Sequence, residues 1–329
     1  YPPNNGRPAL REALSAYMGD AGLTFSADEV ILTDGATEAL SAAFMAMLNP
    51  GDEVIIPTPA FGLYESIVVA NHAKAVFLDT EPAQFQIDED ALRAYVTPAT
   101  KAIVICSPNN PTGCILNTAS LDAVARVAEE AGIYVVCDDV YNRLVYVDGY
   151  ERFAQRHPEL REQTVVIESF SKPWAMTGWR LGYALGPAPI IQQMTKLHQF
   201  AIMSAPTTSQ TAAIEALRHG DGDIDKMRRD YDMRRRFTVH AFREIGLPCF
   251  EPEGAFYLFP CIQSTGLSSE EFCERLIYSK RVAVVPGNAF GDCGEGFIRV
   301  SYCYSIENIK EAVTRIGEFV KELEDEHDR

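Results

Sequence analysis

The sequence lacks several patterns that would assign it quickly to a class of protein. No run of apolar residues approaches the roughly 20 that a membrane-spanning helix needs, and no segment has the pattern of a signal peptide. The eight cysteines are scattered and form no Cys-x-x-Cys pair. Dispersed cysteines in a chain of 329 residues favour a reducing compartment over a disulfide framework. We therefore expect a cytoplasmic protein with no membrane partner.

Basic charge and nucleotide-binding glycine motifs are also scarce. Lysine and arginine total 29 against 46 aspartates and glutamates, a net charge of −17, which argues against nucleic acid as a partner. No Gly-x-Gly-x-x-Gly follows the first predicted strand, which disfavours a Rossmann dehydrogenase. The segment that does follow it, Asp34-Gly35-Ala36-Thr37, lacks the Gly-Lys-Ser/Thr of a P-loop.

The sequence contains instead a regular alternation of short apolar runs and helix-length segments. Alternation of this kind builds a mostly parallel sheet covered on both faces by helices. We predict an α/β protein: a large domain at residues 1–225 with a seven-stranded sheet, and a smaller α+β C-terminal domain at residues 226–329. The predicted strands of the large domain are Val30–Thr33, Glu53–Ile56, Ala75–Leu78, Ala102–Cys106, Ile133–Cys137, Thr164–Ile167 and Leu181–Leu185. Those of the small domain are Ala255–Phe259, Val282–Val285 and Phe297–Tyr302.

Polar residues follow the carboxyl ends of these strands, where open parallel sheets bind ligands. The segment from Ser169 to Arg180 is the most informative of them. Lys172 precedes a proline, which disfavours helical backbone, and it lies close to the hydroxyls of Ser169 and Ser171. A desolvated amine there can attack a carbonyl, while the hydroxyls and the guanidinium of Arg180 suit a phosphate group. A lysine that merely reaches solvent is the structural alternative, and the neighbouring residues make it the weaker one.

Two further strand ends carry residues that could complete such a site. Asn110 lies in a rigid turn between two prolines and can donate a hydrogen bond from its amide. Asp138 ends an apolar strand, so it needs a cationic partner to stay charged, and Tyr141 follows three residues later. Asp138 could alternatively cap the segment that follows it. Phe61 could be a core residue, or it could stack on an aromatic ring.

The start of the helix after Asp34 is a candidate anion site. Backbone N–H groups at a helix start, next to small residues such as Gly35 and Ala36, can bind a phosphate. Taken alone this indication is weak, because a strand, a turn and a helix capped by a residue such as Thr37 are common.

The motifs together resemble the class I/II aminotransferases, pyridoxal-phosphate enzymes with the aspartate-aminotransferase fold (fold type I). They are Pro108-Asn109-Asn110-Pro111-Thr112-Gly113, Asp138-x-x-Tyr141, and Ser169-x-Ser171-Lys172 followed by Thr177-Gly178-Trp179-Arg180. The resemblance covers effectively the whole chain, which starts later than the family does, so we expect the N-terminal arm to lie outside it. The C-terminal half resembles the bacterial branch that acts on N-acetyl-LL-diaminopimelate, aspartate or aromatic substrates.

The resemblance implies a role for each candidate residue. Lys172 would form the aldimine with pyridoxal phosphate and move the proton at the substrate Cα, and Asp138 would pair with the pyridine nitrogen. Arg299 would grip the substrate α-carboxylate with Asn110 nearby. An arginine inside the apolar strand Phe297–Tyr302, which the pattern predicts to be buried, is costly without such a partner.

The remaining implied contacts are with the cofactor. Tyr141 and Asn110 would bond the ring oxygen and Phe61 would stack on the ring. The implied phosphate ligands are Ser169, Ser171, Arg180, Gly35, Ala36 and Thr37. Tyr1 would reach the phosphate of a neighbouring copy, which implies a homodimer with shared sites. The resemblance implies no metal.

The implied function is a transaminase that exchanges the amino group of an L-amino acid with a 2-oxo acid, such as 2-oxoglutarate, by ping-pong chemistry. A C–S lyase stays open, because fold and cofactor do not decide the reaction. A cofactor-sensing regulator joined to a DNA-binding module also stays open, although the acidic charge counts against it. The amino donor is undetermined: dicarboxylate users add a second cation, and Thr37 stands where some related enzymes place a lysine.

Overall fold

A seven-stranded sheet forms the centre of the computed structural model, which describes residues 2–327. Its strands are β1 Val30–Thr33, β2 Glu53–Thr58, β3 Lys74–Asp79, β4 Thr100–Cys106, β5 Tyr134–Asp138, β6 Thr164–Ser169 and β7 Gly182–Leu185. They lie in the order β1-β7-β6-β5-β4-β2-β3. The pairs β3–β2, β2–β4, β4–β5 and β5–β6 are parallel, whereas β7 runs antiparallel to β6 and β1. The predicted mostly parallel sheet is confirmed.

Helices cover both faces of this sheet. They are α1 Pro8–Asp20, α2 Gly35–Met47, α3 Leu63–Ala70, α4 Glu89–Ala94, α5 Thr118–Ala131, α6 Phe153–Arg156, α7 Ala188–Ala201 and α8 Thr207–His219. Alternate residues of one strand enter different cores: Ile103 and Ile105 pack with α1 and α5, and Val104 packs with α2 and α7. Continuous apolar strands are therefore required, because both of their faces are buried.

The C-terminal part has a core and a sheet of its own. Its elements are α9 Asp221–Glu244, β8 Tyr257–Leu258, α10 Ser269–Lys280, β9 Val285–Pro286, β10 Ile298–Ser301 and α11 Ile306–His327. The three strands form an antiparallel sheet in the order β8-β10-β9, and a third apolar cluster packs beneath it. The predicted boundary between residues 225 and 226 falls inside α9, and the division into domains stays a prediction.

The predicted strand Val282–Val285 is wrong for its first three residues. β10 pairs only with Val285 and Pro286 of this segment, through Arg299 and Ile298. An apolar, β-branched run becomes a strand only where a neighbour accepts its hydrogen bonds, and residues 282–284 extend past the paired segment.

Candidate active site

The carboxyl ends of β4, β5 and β6 meet at one edge of the sheet. Cys106 pairs in register with Asp138, and Asp138 with Ile167. The segments that carry Asn110, Asp138 and Lys172 therefore leave three adjacent strands side by side. The structure brings together residues that are far apart in the sequence, as expected for this kind of sheet.

Lys172 is half-buried, and its amine lies against aromatic rings. Its Nζ is 5.8 Å from the ring centre of Tyr141 and 5.6 Å from that of Phe256. Burial lowers the pKa of Lys172 from its ordinary value, while the charge of Asp138 opposes the shift. A lowered pKa raises the fraction of neutral amine, which is the form that attacks carbonyls and accepts protons.

Asp138 is only 4% exposed, and one of its oxygens is unsatisfied. Oδ2 accepts a hydrogen bond of 2.6 Å from the hydroxyl of Tyr64, whereas Oδ1 has no partner in residues 2–327. Burial raises the pKa of Asp138 to about 6, against the lowering effects of Tyr64, the Val140 N–H and Lys172. A buried carboxylate oxygen without a donor is costly, and it fits a protonated ring nitrogen.

Tyr64 was not among the residues that sequence reasoning selected. It lies in α3, is 2% exposed, and packs edge-on against Phe61 with 6.0 Å between ring centres. Phe61 is 39% exposed, as a residue that faces an open cleft would be. Phe61 lies two residues before α3, and its carbonyl accepts from the N–H of Tyr64, so the short spacing between the two aromatic residues was the available signal.

Arg299 is half-buried rather than buried as its strand pattern predicted, because its side of β10 faces the cleft. Its Nη1 donates to Oδ1 of Asn110 over 2.9 Å. Its guanidinium lies between the rings of Tyr257, at 4.6 Å, and Phe290, at 4.9 Å. Among the described residues it has no ion-pair partner, so an oriented cation is available for a ligand carboxylate.

Two aromatic neighbours of Arg299 were also missed. The hydroxyls of Tyr257 and Tyr141 lie 2.9 Å apart, so Tyr257 connects the surroundings of Arg299 to those of Lys172. The backbone carbonyl of Phe290 accepts a hydrogen bond from the N–H of Ala60, which precedes Phe61. The sequence shows Tyr257 only as one residue of an apolar strand, which does not distinguish a site residue from a core residue.

The expected phosphate ligands form two groups. Arg180 lies against the start of α2: a Cβ at Gly35 would be 2.6 Å from its Nη2, and its Nε is 3.9 Å from a carboxylate oxygen of Asp34. Ala36 and Thr37 lie in the first turn of α2. A side chain at Gly35 would displace the end of Arg180, and the φ of +77° at Gly35 also favours glycine.

The two serines form the second group. Ser169 is buried, donates to the carbonyl of Leu181 over 3.3 Å, and accepts from the N–H of Ser171 over 3.0 Å. Its hydroxyl therefore braces the turn that carries Lys172. Tyr1 lies outside the described residues.

Within residues 2–327, no group of three or more His, Cys, Asp or Glu side chains is placed to hold a metal ion. In the same residues, no helix is long and apolar enough to cross a membrane.

Comparison with known proteins gives matches over almost the whole chain. A family model described as "Aminotransferase class I and II" matches residues 1–316. The chain is 44% identical over 323 residues to "Putative aminotransferase YugH" of Bacillus subtilis, covering 97% of this chain and 83% of that protein. It is 39% identical over 328 residues to an aspartate aminotransferase of Pyrococcus abyssi, covering 98% and 84%. The crystal structure of an aromatic aminotransferase from Pyrococcus horikoshii superposes with a TM-score of 0.95 at 38% identity, covering 98% of this chain and 87% of that one.

Proposed function

The chain belongs to the class I and II aminotransferases, and we propose that it moves an amino group from an L-amino acid to a 2-oxo acid such as 2-oxoglutarate with ping-pong kinetics. The observation that carries this proposal is the arrangement of three groups in one cleft. They are the half-buried amine of Lys172, the oxygen of Asp138 that has no partner, and the guanidinium of Arg299, which has no ion-pair partner among the described residues.

Enzymes of this family use pyridoxal phosphate, which supplies an electron sink for the carbanion that forms at the amino acid. In our proposal Asp138 pairs with the ring nitrogen, Phe61 covers the ring, and Tyr141 and the free amide of Asn110 donate to the ring oxygen. The proposed phosphate ligands are Gly35, Ala36, Thr37, Ser169, Ser171 and Arg180. The close approach of Arg180 to Gly35 supports this assignment, because a guanidinium and a helix start both favour an anion.

The substrate is oriented by Arg299 and its neighbours. Two N–H groups of the guanidinium can bind a carboxylate side by side, and Asn110 and the two flanking rings hold its plane. With the carboxylate held there, the neutral Lys172 amine would accept the proton from the substrate Cα and would donate it at C4′ of the cofactor. Its lowered pKa supports that role.

A panel of amino donors tests the proposal. Aspartate, aromatic amino acids, N-acetyl-LL-diaminopimelate and cysteine would each be mixed with the enzyme, first without and then with 2-oxoglutarate. At least one donor should change the visible absorption of the bound cofactor without the oxo acid, and glutamate should form once it is added. Release of pyruvate and ammonia from cysteine with no acceptor, and no glutamate from any donor, would favour the lyase instead.

Arg299→Lys is expected to raise the KM for the amino donor about ten- to hundredfold, while the affinity for pyridoxal phosphate stays unchanged. Lysine keeps the charge but loses both the paired N–H groups and the planar contact with Tyr257 and Phe290. Steady-state kinetics and cofactor titration measure the two effects. Arg93→Lys is the matched control, since Arg93 makes paired contacts with Glu130 at the surface. An unchanged KM in Arg299→Lys would contradict the assignment.

Tyr64→Phe is expected to move the pH dependence of cofactor affinity upwards. Asp138 must be ionised to pair with a protonated ring nitrogen, and its pKa in the free protein is about 6. Tyr64 lowers this pKa, as Lys172 does, so removing the hydroxyl raises it and the loss of affinity on acidification begins at a higher pH. Tyr141 and Cys106 also face Asp138, and both are unchanged in the variant.

Titration of the apoprotein with pyridoxal phosphate between about pH 5 and pH 8 measures this shift. Tyr183→Phe is the control, because it removes a buried hydroxyl that donates to a different carboxylate, Glu168, over 2.7 Å. Superimposable profiles for Tyr64→Phe and the wild type would show that the hydroxyl does not control Asp138.

A homodimer in the cytoplasm completes the proposal. Family resemblance supports the dimer, in which Tyr1 would serve the neighbouring site, and the free state of all eight cysteines is compatible with a reducing compartment. Sedimentation of the purified protein should give twice the mass of one chain. Mixing Tyr1→Phe with a Lys172 variant should then recover activity in the hybrid dimers.

A further inference from the structure

A buried histidine is bonded to the helix that begins at the proposed phosphate site. His198 in α7 is 1% exposed, and its Nδ1 lies 2.6 Å from Oε1 of Glu38 in the first turns of α2. The other oxygen of Glu38 accepts from the backbone N–H of Asp34 over 2.5 Å. Because carboxylate oxygens only accept, the imidazole Nδ1 carries the hydrogen. Glu38 is thus held between α7 and the residue at which the phosphate turn starts.

The turn that Glu38 holds has little room to move. A Cβ at Gly35 would lie 2.6 Å from Arg180, and a Cβ at Gly182 would lie 2.5 Å from the backbone nitrogen of Ala36. The N–H groups of Gly35 and Ala36 therefore keep their place relative to Arg180 only if the start of α2 is fixed. Glu38 connects this start to a neighbouring helix, because one of its oxygens bonds to Asp34 and the other bonds to His198 in α7.

The negative charge of Glu38 gives its contact with His198 a second, electrostatic effect. Glu38 places a carboxylate at the same helix end where a phosphate is expected, and both are anions that favour that end. The N–H of His198 on Oε1 offsets part of the carboxylate charge from the α7 side, while Oε2 stays bonded to the N–H of Asp34 at the start of α2. His198 does this while its own Nε2 stays buried without a partner in the described chain. An unsatisfied buried nitrogen is a cost, which is consistent with a histidine retained for what its other nitrogen does.

We propose that His198 is a positioning residue for the phosphate-binding turn, acting through Glu38. The inference rests on the proposed function, since it takes the phosphate of pyridoxal phosphate as the ligand of that turn. In this proposal His198 does not contact the cofactor ring. Substitution of His198 should therefore weaken only the binding that depends on the phosphate group.

Three variants test it, with pyridoxal, which lacks the phosphate, as the second ligand. His198→Leu removes the donor and should weaken binding of pyridoxal phosphate to the apoprotein about tenfold, while pyridoxal binds within about twofold of the wild type. His198→Asn places an amide N–H where Nδ1 was, and should restore most of the loss. Glu38→Gln in the His198→Leu background should also restore affinity, because it removes the unbalanced charge.

The outcomes separate the inference from its premise. Equal weakening of both ligands in His198→Leu would show a general structural defect and overturn the positioning role, as would affinity for pyridoxal phosphate within about twofold of the wild type. Failure of both His198→Asn and the double variant to recover affinity would overturn it as well. A wild-type apoprotein that binds neither compound would contradict the proposed function itself.

Discussion

Lys172→Ala should lower the rate of amino transfer by about ten-thousandfold or more, because in the proposed mechanism one side chain provides both the nucleophilic amine and the proton acceptor. The amine is half-buried between Tyr141 and Phe256, and its lowered pKa keeps part of it neutral. The measurement is a single-turnover assay with the preferred amino donor.

A lysine elsewhere provides the control for this variant. Lys101 lies over the ring of Tyr134, 5.5 Å from its centre, so Lys101→Ala removes a comparable contact between an amine and an aromatic ring. It should retain the wild-type rate. Turnover by Lys172→Ala near that of the wild type would refute the assignment of the catalytic lysine.

Asp138→Asn should lower the rate of turnover by at least about a hundredfold, an effect typical of removing a charge that stabilises a transition state. The amide is the same size, and its oxygen can still accept from Tyr64, so the local packing survives. It carries no charge to keep a ring nitrogen protonated, which weakens the electron sink. The rate should fall more than the cofactor affinity, and steady-state kinetics at saturating cofactor separates the two.

Asp139→Asn is the closest available control for this substitution. Asp139 is the next residue, is equally buried, and has an unpartnered oxygen of its own. Burial raises its pKa to about 7, partly opposed by Arg152, so near neutral pH it is already protonated in part. Replacing it with asparagine should therefore change turnover by less than about threefold. Equal losses in the two variants would indicate that the region tolerates no amide, rather than that Asp138 has a specific role.

Local patterns in the sequence were sufficient to predict most of the fold. All seven strands of the large sheet lie where mostly apolar runs predicted them, because the central strands are buried on both faces and are therefore apolar along most of their length. In the small sheet, Val282–Val284 and the residues on either side of Tyr257–Leu258 in the predicted strand Ala255–Phe259 show the limit of that argument. Those residues have the composition of a strand, but the pairing partner that would make them one does not extend to them.

The sequence likewise predicted part of the candidate site and left the rest to the tertiary structure. Lys172, Asp138 and Asn110 follow strand ends that are visible in the sequence, and parallel pairing then places those ends together. Three contacts could not be derived from any local pattern: Tyr64 with Asp138, Tyr257 with Tyr141, and His198 with Glu38. The residues in these pairs are separated by 74, 116 and 160 positions.

The sequence by itself determined where the strands lie and which motifs end them, since both depend on neighbouring residues and on the period of two or 3.6 residues. Only the tertiary structure decided which side chains hold those motifs in place. A tyrosine in an apolar run has the same local pattern whether its hydroxyl donates to a buried aspartate such as Asp138 or to a backbone carbonyl. The choice depends on how α3 and α7 pack on the sheet, and that packing is set by the whole core rather than by the residues beside the tyrosine or the histidine.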